Sequence, residues 1–141
     1  MAVRVPIEIT FGSQKVNVSA IANSGYETNE PEIIIPLSFG KEKFGISENK
    51  GKEVEYRAAG RQEVKFIRFE DARIYVVTDD TRTSVVNAVL NTSENEVEVI
   101  LNDMLVEMLG VDLVKVAQGK WRFLTDPPKK LRDSSPRQLF Q

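Results

Sequence analysis

Apolar and polar residues alternate with a period of two along most of this chain, a pattern that confines it to half-buried β-strands. Val3, Val5, Ile7 and Ile9 alternate with Arg4, Pro6, Glu8 and Thr10, and the pattern resumes at Val16, Val18 and Ala20 after the turn Phe11-Gly12-Ser13-Gln14. These two runs predict a hairpin. Pro6 has no N–H to give to a ladder, so the first strand is expected at a sheet edge. An apolar run, Ile33-Ile34-Ile35, stops at Pro36, and further strands are expected at 54–58, 64–69, 74–77, 85–90 and 97–101. Their separators, such as Ala59-Gly60-Arg61-Gln62 and Thr78-Asp79-Asp80-Thr81, are turn residues. Segment 40–53, rich in Lys, Glu and Gly, reads as a solvated connection with one helical turn.

The period changes once. Met104, Leu105, Met108 and Leu109 share one face of a short helix, with Asn102 as its N-cap and Gly110 as its stop. Residues 111–116, the turn Gln118-Gly119-Lys120 and residues 121–124 predict a last hairpin. From Asp126 the segment DPPKKLRDSSPRQLFQ carries three prolines and scattered charge, the composition of a tail that is ordered only where it docks. The expected organisation is one all-β domain, 1–125, with one short helix near its C-terminal end, followed by a tail, 126–141.

The 141 residues include no histidine and no cysteine. That removes Ser-His and Cys-His nucleophile pairs and the usual ligands of zinc, haem and iron–sulfur centres. No cofactor or metal is expected, and any chemistry must come from carboxylates, amines, hydroxyls or amides. With 19 Lys+Arg against 21 Asp+Glu the net charge is −2, which gives no electrostatic footprint for nucleic acid. No apolar run is long enough to span a bilayer and the N-terminus lacks an apolar signal region, so a cytoplasmic location without membrane contact is expected.

Several local patterns have ordinary explanations. Residues 45–52, GISENKGK, miss the phosphate-loop spacing and lack its Ser or Thr, leaving a charged loop. Asn17-Val18-Ser19 and Asn91-Thr92-Ser93 are formal sequons with no secretory context. Glu27, Glu30 and Glu32 could ligate a hard cation, but a solvated acidic loop is the expected state. Trp121, the only tryptophan, is expected to anchor a core or an interface.

The stretch from Val16 to Pro36, VNVSAIANSGYETNEPEIIIP, carries more information. A strand ends in Ile21-Ala22, then come Asn23-Ser24-Gly25, a loop, and an apolar run closing on proline. This resembles the active-site loop of retropepsin-like aspartic proteases, in which two apolar residues precede Asp-Thr-Gly or Asp-Ser-Gly. Tyr56-Arg57-Ala58-Ala59-Gly60 resembles that family's flap hairpin, and Val99-Ile100-Leu101-Asn102-Asp103-Met104-Leu105 its second apolar strand and helix. Gly110-Val111 and Gly119-Lys120-Trp121-Arg122-Phe123 resemble the end of archaeal single-domain members. The similarity covers roughly residues 3 to 125.

The resemblance implies a closed acid-protease-like β-barrel with Asn23, Ser24 and Gly25 at the catalytic position. It implies a flap with Ala58, Ala59, Gly60 and Arg61 over the substrate, and a second motif at Leu101, Asn102 and Asp103. With a single Asn-Ser-Gly motif, a complete site needs two chains, so the partners implied are a second copy, with both Asn23 residues at a twofold axis, and an extended peptide bound by strand addition. Three positions depart from the family. Asn23 stands where the catalytic aspartate belongs, Ala59 replaces the usual flap Asp, and Asn102 replaces a glycine that lets the backbone pass close. In the family two carboxylates share a proton and activate water; an amide can hold that water but cannot take its proton. Neither Glu27, four residues past the motif, nor Asp103, explained by the helix N-terminus, is expected to substitute. The expectation is a catalytically impaired homologue that dimerises around a peptide groove. Two alternatives stay open: an active aspartic endopeptidase whose aspartate was mutated to Asn23, and a dimerisation module without peptide binding.

Overall fold

The structure, a computed structural model, describes residues 2–22, 28–57 and 63–141. Ten strands and two α-helices follow in chain order: β1 (Arg4–Phe11), β2 (Gln14–Ala22), β3 (Glu32–Pro36), α1 (Leu37–Phe44), β4 (Lys52–Arg57), β5 (Glu63–Val76), β6 (Val86–Ser93), β7 (Val99–Leu101), α2 (Asp103–Met108), β8 (Val111–Lys115), β9 (Lys120–Phe123) and β10 (Arg132–Asp133). The main sheet has the order β1-β2-β7-β3-β6-β5-β4, and β1 pairs again with β5. Six strands therefore close into a barrel, with β4 flanking it on β5. The inward residues of the alternating pattern, among them Val5, Ile7, Ile9, Ile33, Ile35, Ile74 and Leu90, form the buried core. The all-β barrel matches the sequence expectation.

Four local expectations are corrected. The first concerns Pro6, which does not mark an edge. Its carbonyl accepts from Val77 N–H at 3.0 Å, but it has no N–H to return, and the β1–β5 ladder stops there. The second is β5, expected as two strands. It runs continuously through a bulge between Phe69 and Ala72, where Asp71 takes a positive φ of 64°.

The third is α1, the longer helix, in a region where the sequence predicts only a solvated connection over 40–53 with one helical turn. It follows Pro36 directly and closes at Gly45, whose φ of 63° is left-handed. Gly40, a residue that usually argues against a helix, is what lets it pack: a Cβ there would lie 3.1 Å from both Ile35 Cδ1 and Ile46 Cδ1. The C-terminal helix α2 forms as expected, with Gly110 at φ 71° after it.

The fourth concerns the acidic loop. Glu32 is almost fully buried (1% exposed) and accepts from Asn91 Nδ2 at 2.7 Å, while Glu30 pairs with Arg68 at 3.0 Å. Burial in an apolar strand selects a hydrogen-bonded carboxylate rather than a solvated cluster. Glu27 lies outside the described residues. Among the described residues no group of three acidic side chains could hold a metal ion, and no helix is long and apolar enough to cross a membrane.

The C-terminal segment docks. β10 pairs with β9, Trp121 Nε1 donates to Asp133 O at 3.1 Å, and Trp121 is buried against Phe123. Beyond β10, Ser134 Oγ accepts from Arg4 N–H at 3.0 Å and Ser135 N–H donates to Arg4 O at 2.8 Å. The segment thus takes over the β1 edge where Pro6 ends the β5 ladder.

Arg132 is the electrostatic hub of this docking. It grips Asp126 with two bonds of 2.8 and 3.0 Å, reaches Asp80 at 2.8 Å, and lies over the Phe123 ring. Its hydrogen bonds hold the Asp126 carboxyl down at about 2 and Asp80 far below the ordinary carboxylate range. A depressed carboxylate contributes stability above its unfolded pKa of about 4, and that contribution is lost as pH falls through the folded value. The melting temperature is therefore expected to stay level from neutral pH to about 4 and to drop between about 4 and 2. Asp126→Asn should be less stable at neutral pH and show a shallower acid limb. A wild-type limb that steepens well above pH 4 would assign it to other groups.

Candidate functional site

The two motif-bearing segments meet through β2 and β7, which pair in parallel with Ala20 opposite Val99, Ile21 opposite Ile100 and Ala22 opposite Leu101. The residue before Asn23 thus lies beside Leu101, and both strands end at the same side of the barrel. Asn23, Ser24 and Gly25 themselves lie outside the described residues, as do the flap positions Ala58, Ala59, Gly60 and Arg61. The strands on either side of the expected flap are described: β4 and β5 pair antiparallel, with Arg57 opposite Glu63.

The second motif is fully described. Leu101 is completely buried and ends β7, and Asp103, half-buried, opens α2. Between them Asn102 is 0% exposed, and its amide makes four hydrogen bonds. Its Oδ1 accepts from Leu105 N–H and from Glu32 N–H, both at 3.0 Å. Its Nδ2 donates to Thr28 Oγ1 at 2.9 Å and to Glu30 O at 2.8 Å. Two acceptor and two donor sites are all that a side-chain amide has, so Asn102 is saturated. The backbone adds Asn102 N–H to Glu32 O at 3.1 Å.

Asn102 is therefore a clamp rather than a glycine substitute left idle. It caps α2 and fastens to it the chain from Thr28 to Glu32, the segment that follows the Asn-Ser-Gly loop. Thr28 reinforces the turn, since its Oγ1 also contacts Glu30. Arg68, raised above its ordinary value by the hydrogen bonds it donates to Glu70 and then to Glu30, ties the same turn to β5.

Of this network, Thr28 carries no signal in the sequence, while Glu32 stands out there only as part of an acidic loop and Asn91 only as a formal sequon. One signal was present for Asn91: it directly follows the apolar stretch Ala88-Val89-Leu90, and a polar side chain buried with that stretch needs a partner. An open groove of about 830 Å³ lies alongside, lined by Thr28, Asn29, Asp103, Met104, Glu107 and Leu124.

No protein-family model matches this chain, and no curated protein matches it either. The chemistry must be judged on the residues. Neither Asn102, whose amide is saturated, nor the fully buried Asn91 titrates in the working range, so neither supplies acid–base chemistry.

Proposed function

We propose that this chain is a catalytically impaired retropepsin-like aspartic protease homologue that forms a homodimer and holds an extended peptide. The observation that carries this reading is the parallel pairing of β2 and β7 inside a closed barrel. It ends β2 at Ala22 and β7 at Leu101 side by side, which supports a half-site built from the two motifs that follow these strands in the sequence. The β4–β5 hairpin supplies the flap, and its outer strand offers an edge for peptide pairing.

Dimerisation has a second support. β8 is the edge of the three-stranded sheet β10-β9-β8, and its neighbourhood exposes Val114 and Val116. An uncovered edge with apolar side chains favours pairing with a second copy about a twofold axis. Sedimentation at micromolar concentration is expected to give a dimer, and a monomer there would overturn this part of the reading. The catalytic part is tested by peptide cleavage at acid pH, with no turnover expected from the protein as it stands and turnover expected from Asn23→Asp.

A further inference from the structure

The C-terminal segment touches the barrel at one place that matters for the site. β2 and β7 pair from Ala20 and Val99, the first residue of β7, to Ala22 and Leu101. Residues 137–140 hold both chains just before that pairing begins. Gln138 Oε1 accepts from Ser19 N–H at 2.6 Å, on the last β2 residue before the ladder starts. Phe140 N–H donates to Val97 O at 2.7 Å, two residues before β7. Between them Glu98, itself buried, accepts from Arg4 Nε at 2.9 Å and from Arg137 Nε at 3.2 Å. The Phe140 ring, 4.6 Å from that of Phe39, seats the end of the chain on the main core.

We propose that residues 134–141 are a positioning strap that clamps the roots of the two motif-bearing strands and so fixes the geometry of their far ends. This rests on the reading above that those ends form the site. β7 is only three residues long, and a three-residue parallel ladder has little stability of its own. Loss of the strap contacts frees Ser19 N–H and Val97 O together and leaves β7 held on one side by β3 and on the other by β2 without support at its start. Undocking therefore loosens Ala22 and Leu101 relative to each other. The strap is thus a device through which events at the C-terminus reach the site: a partner that captures the last residues weakens the clamp.

The test is amide hydrogen exchange on the full-length protein, without peptide, for Gln138→Ala and Phe140→Ala made separately. Exchange at Ala20–Ala22 and Val99–Leu101 is expected to speed up about tenfold or more through local opening, while Ala72–Val76 in β5 keeps its rate. Equal acceleration at both places means that the strap contributes only to global stability, and overturns the proposal. No acceleration at either place overturns it as well. Phe140→Ala removes core packing and could unfold the protein; the exposed Gln138 keeps the question answerable. Because exchange is read without peptide and without turnover, a negative result on cleavage or dimerisation leaves this outcome independent.

Discussion

Asn102→Ala is expected to destabilise the protein by about 3–4 kcal/mol, because it leaves two buried N–H groups without acceptors at about 1–3 kcal/mol each. Those groups are Leu105 N–H, which also caps α2, and Glu32 N–H, in a residue that is almost fully buried. The two donor bonds lost at the same time, to Thr28 Oγ1 and Glu30 O, add less, since Thr28 and Glu30 reach solvent. Asn102→Asp keeps both acceptor bonds and sets a negative charge at a helix N-terminus, but it faces the Glu30 carbonyl with no donor. It should cost less than half as much. Asn102→Gly is the informative third variant. Glycine is a tolerable N-cap, within a few tenths of a kcal/mol of the better ones, so helix capping alone predicts a mild effect. The clamp predicts a loss close to that of alanine. Denaturant midpoints at constant slope would rank the three, and a glycine variant as stable as wild type would remove the clamp from the account.

How far the sequence revealed these features depends on the range of the interactions that made them. The β1–β2 hairpin and α2 with its cap were legible because their determinants are local: alternation about a four-residue turn, and an Asn three residues before the N–H that it accepts. Features set by distant partners were not. Gly40 looks like a helix breaker until Ile35 and Ile46 close on it. Pro6 looks like an edge marker until β5 and Ser135 divide the pairing of β1 between them. The barrel absorbs Glu32 because Asn91, 59 residues away, offers its amide. The second motif falls in between. Leu101, Asn102 and Asp103 were legible as a strand-to-helix boundary, but three of the four bonds that saturate Asn102 reach residues 70 to 74 positions away, and no local pattern announces them. The C-terminal segment shows the same limit. Its prolines and charges are those of a tail, and only the β9 edge, Arg4 and Ser19 make it a strap.

Asn23→Asp carries the largest expected functional effect. In the retropepsin-like arrangement two aspartates at the twofold axis share one proton, since like charges in contact cannot both ionise. One then takes a proton from water while the other gives one to the carbonyl oxygen. In the proposed dimer both positions are amides, so neither transfer would have a partner and general acid–base catalysis worth about 10²–10⁴-fold would be missing. Restoring both carboxylates should therefore raise peptide cleavage from background by at least about 10²-fold. The pH profile should be bell-shaped in the acid range, because activity requires the singly protonated pair, and its limbs belong to the pair rather than to either residue. Specific activity should also fall on dilution below the dimer dissociation constant, since each chain supplies only one carboxylate. Cleavage by the unaltered protein, inhibited by a transition-state analogue, would show that an unrecognised carboxylate already serves the site. Dimerisation and peptide binding without cleavage in the variant would place the defect beyond Asn23, at the flap position Ala59 or in the geometry that Asn102 now holds.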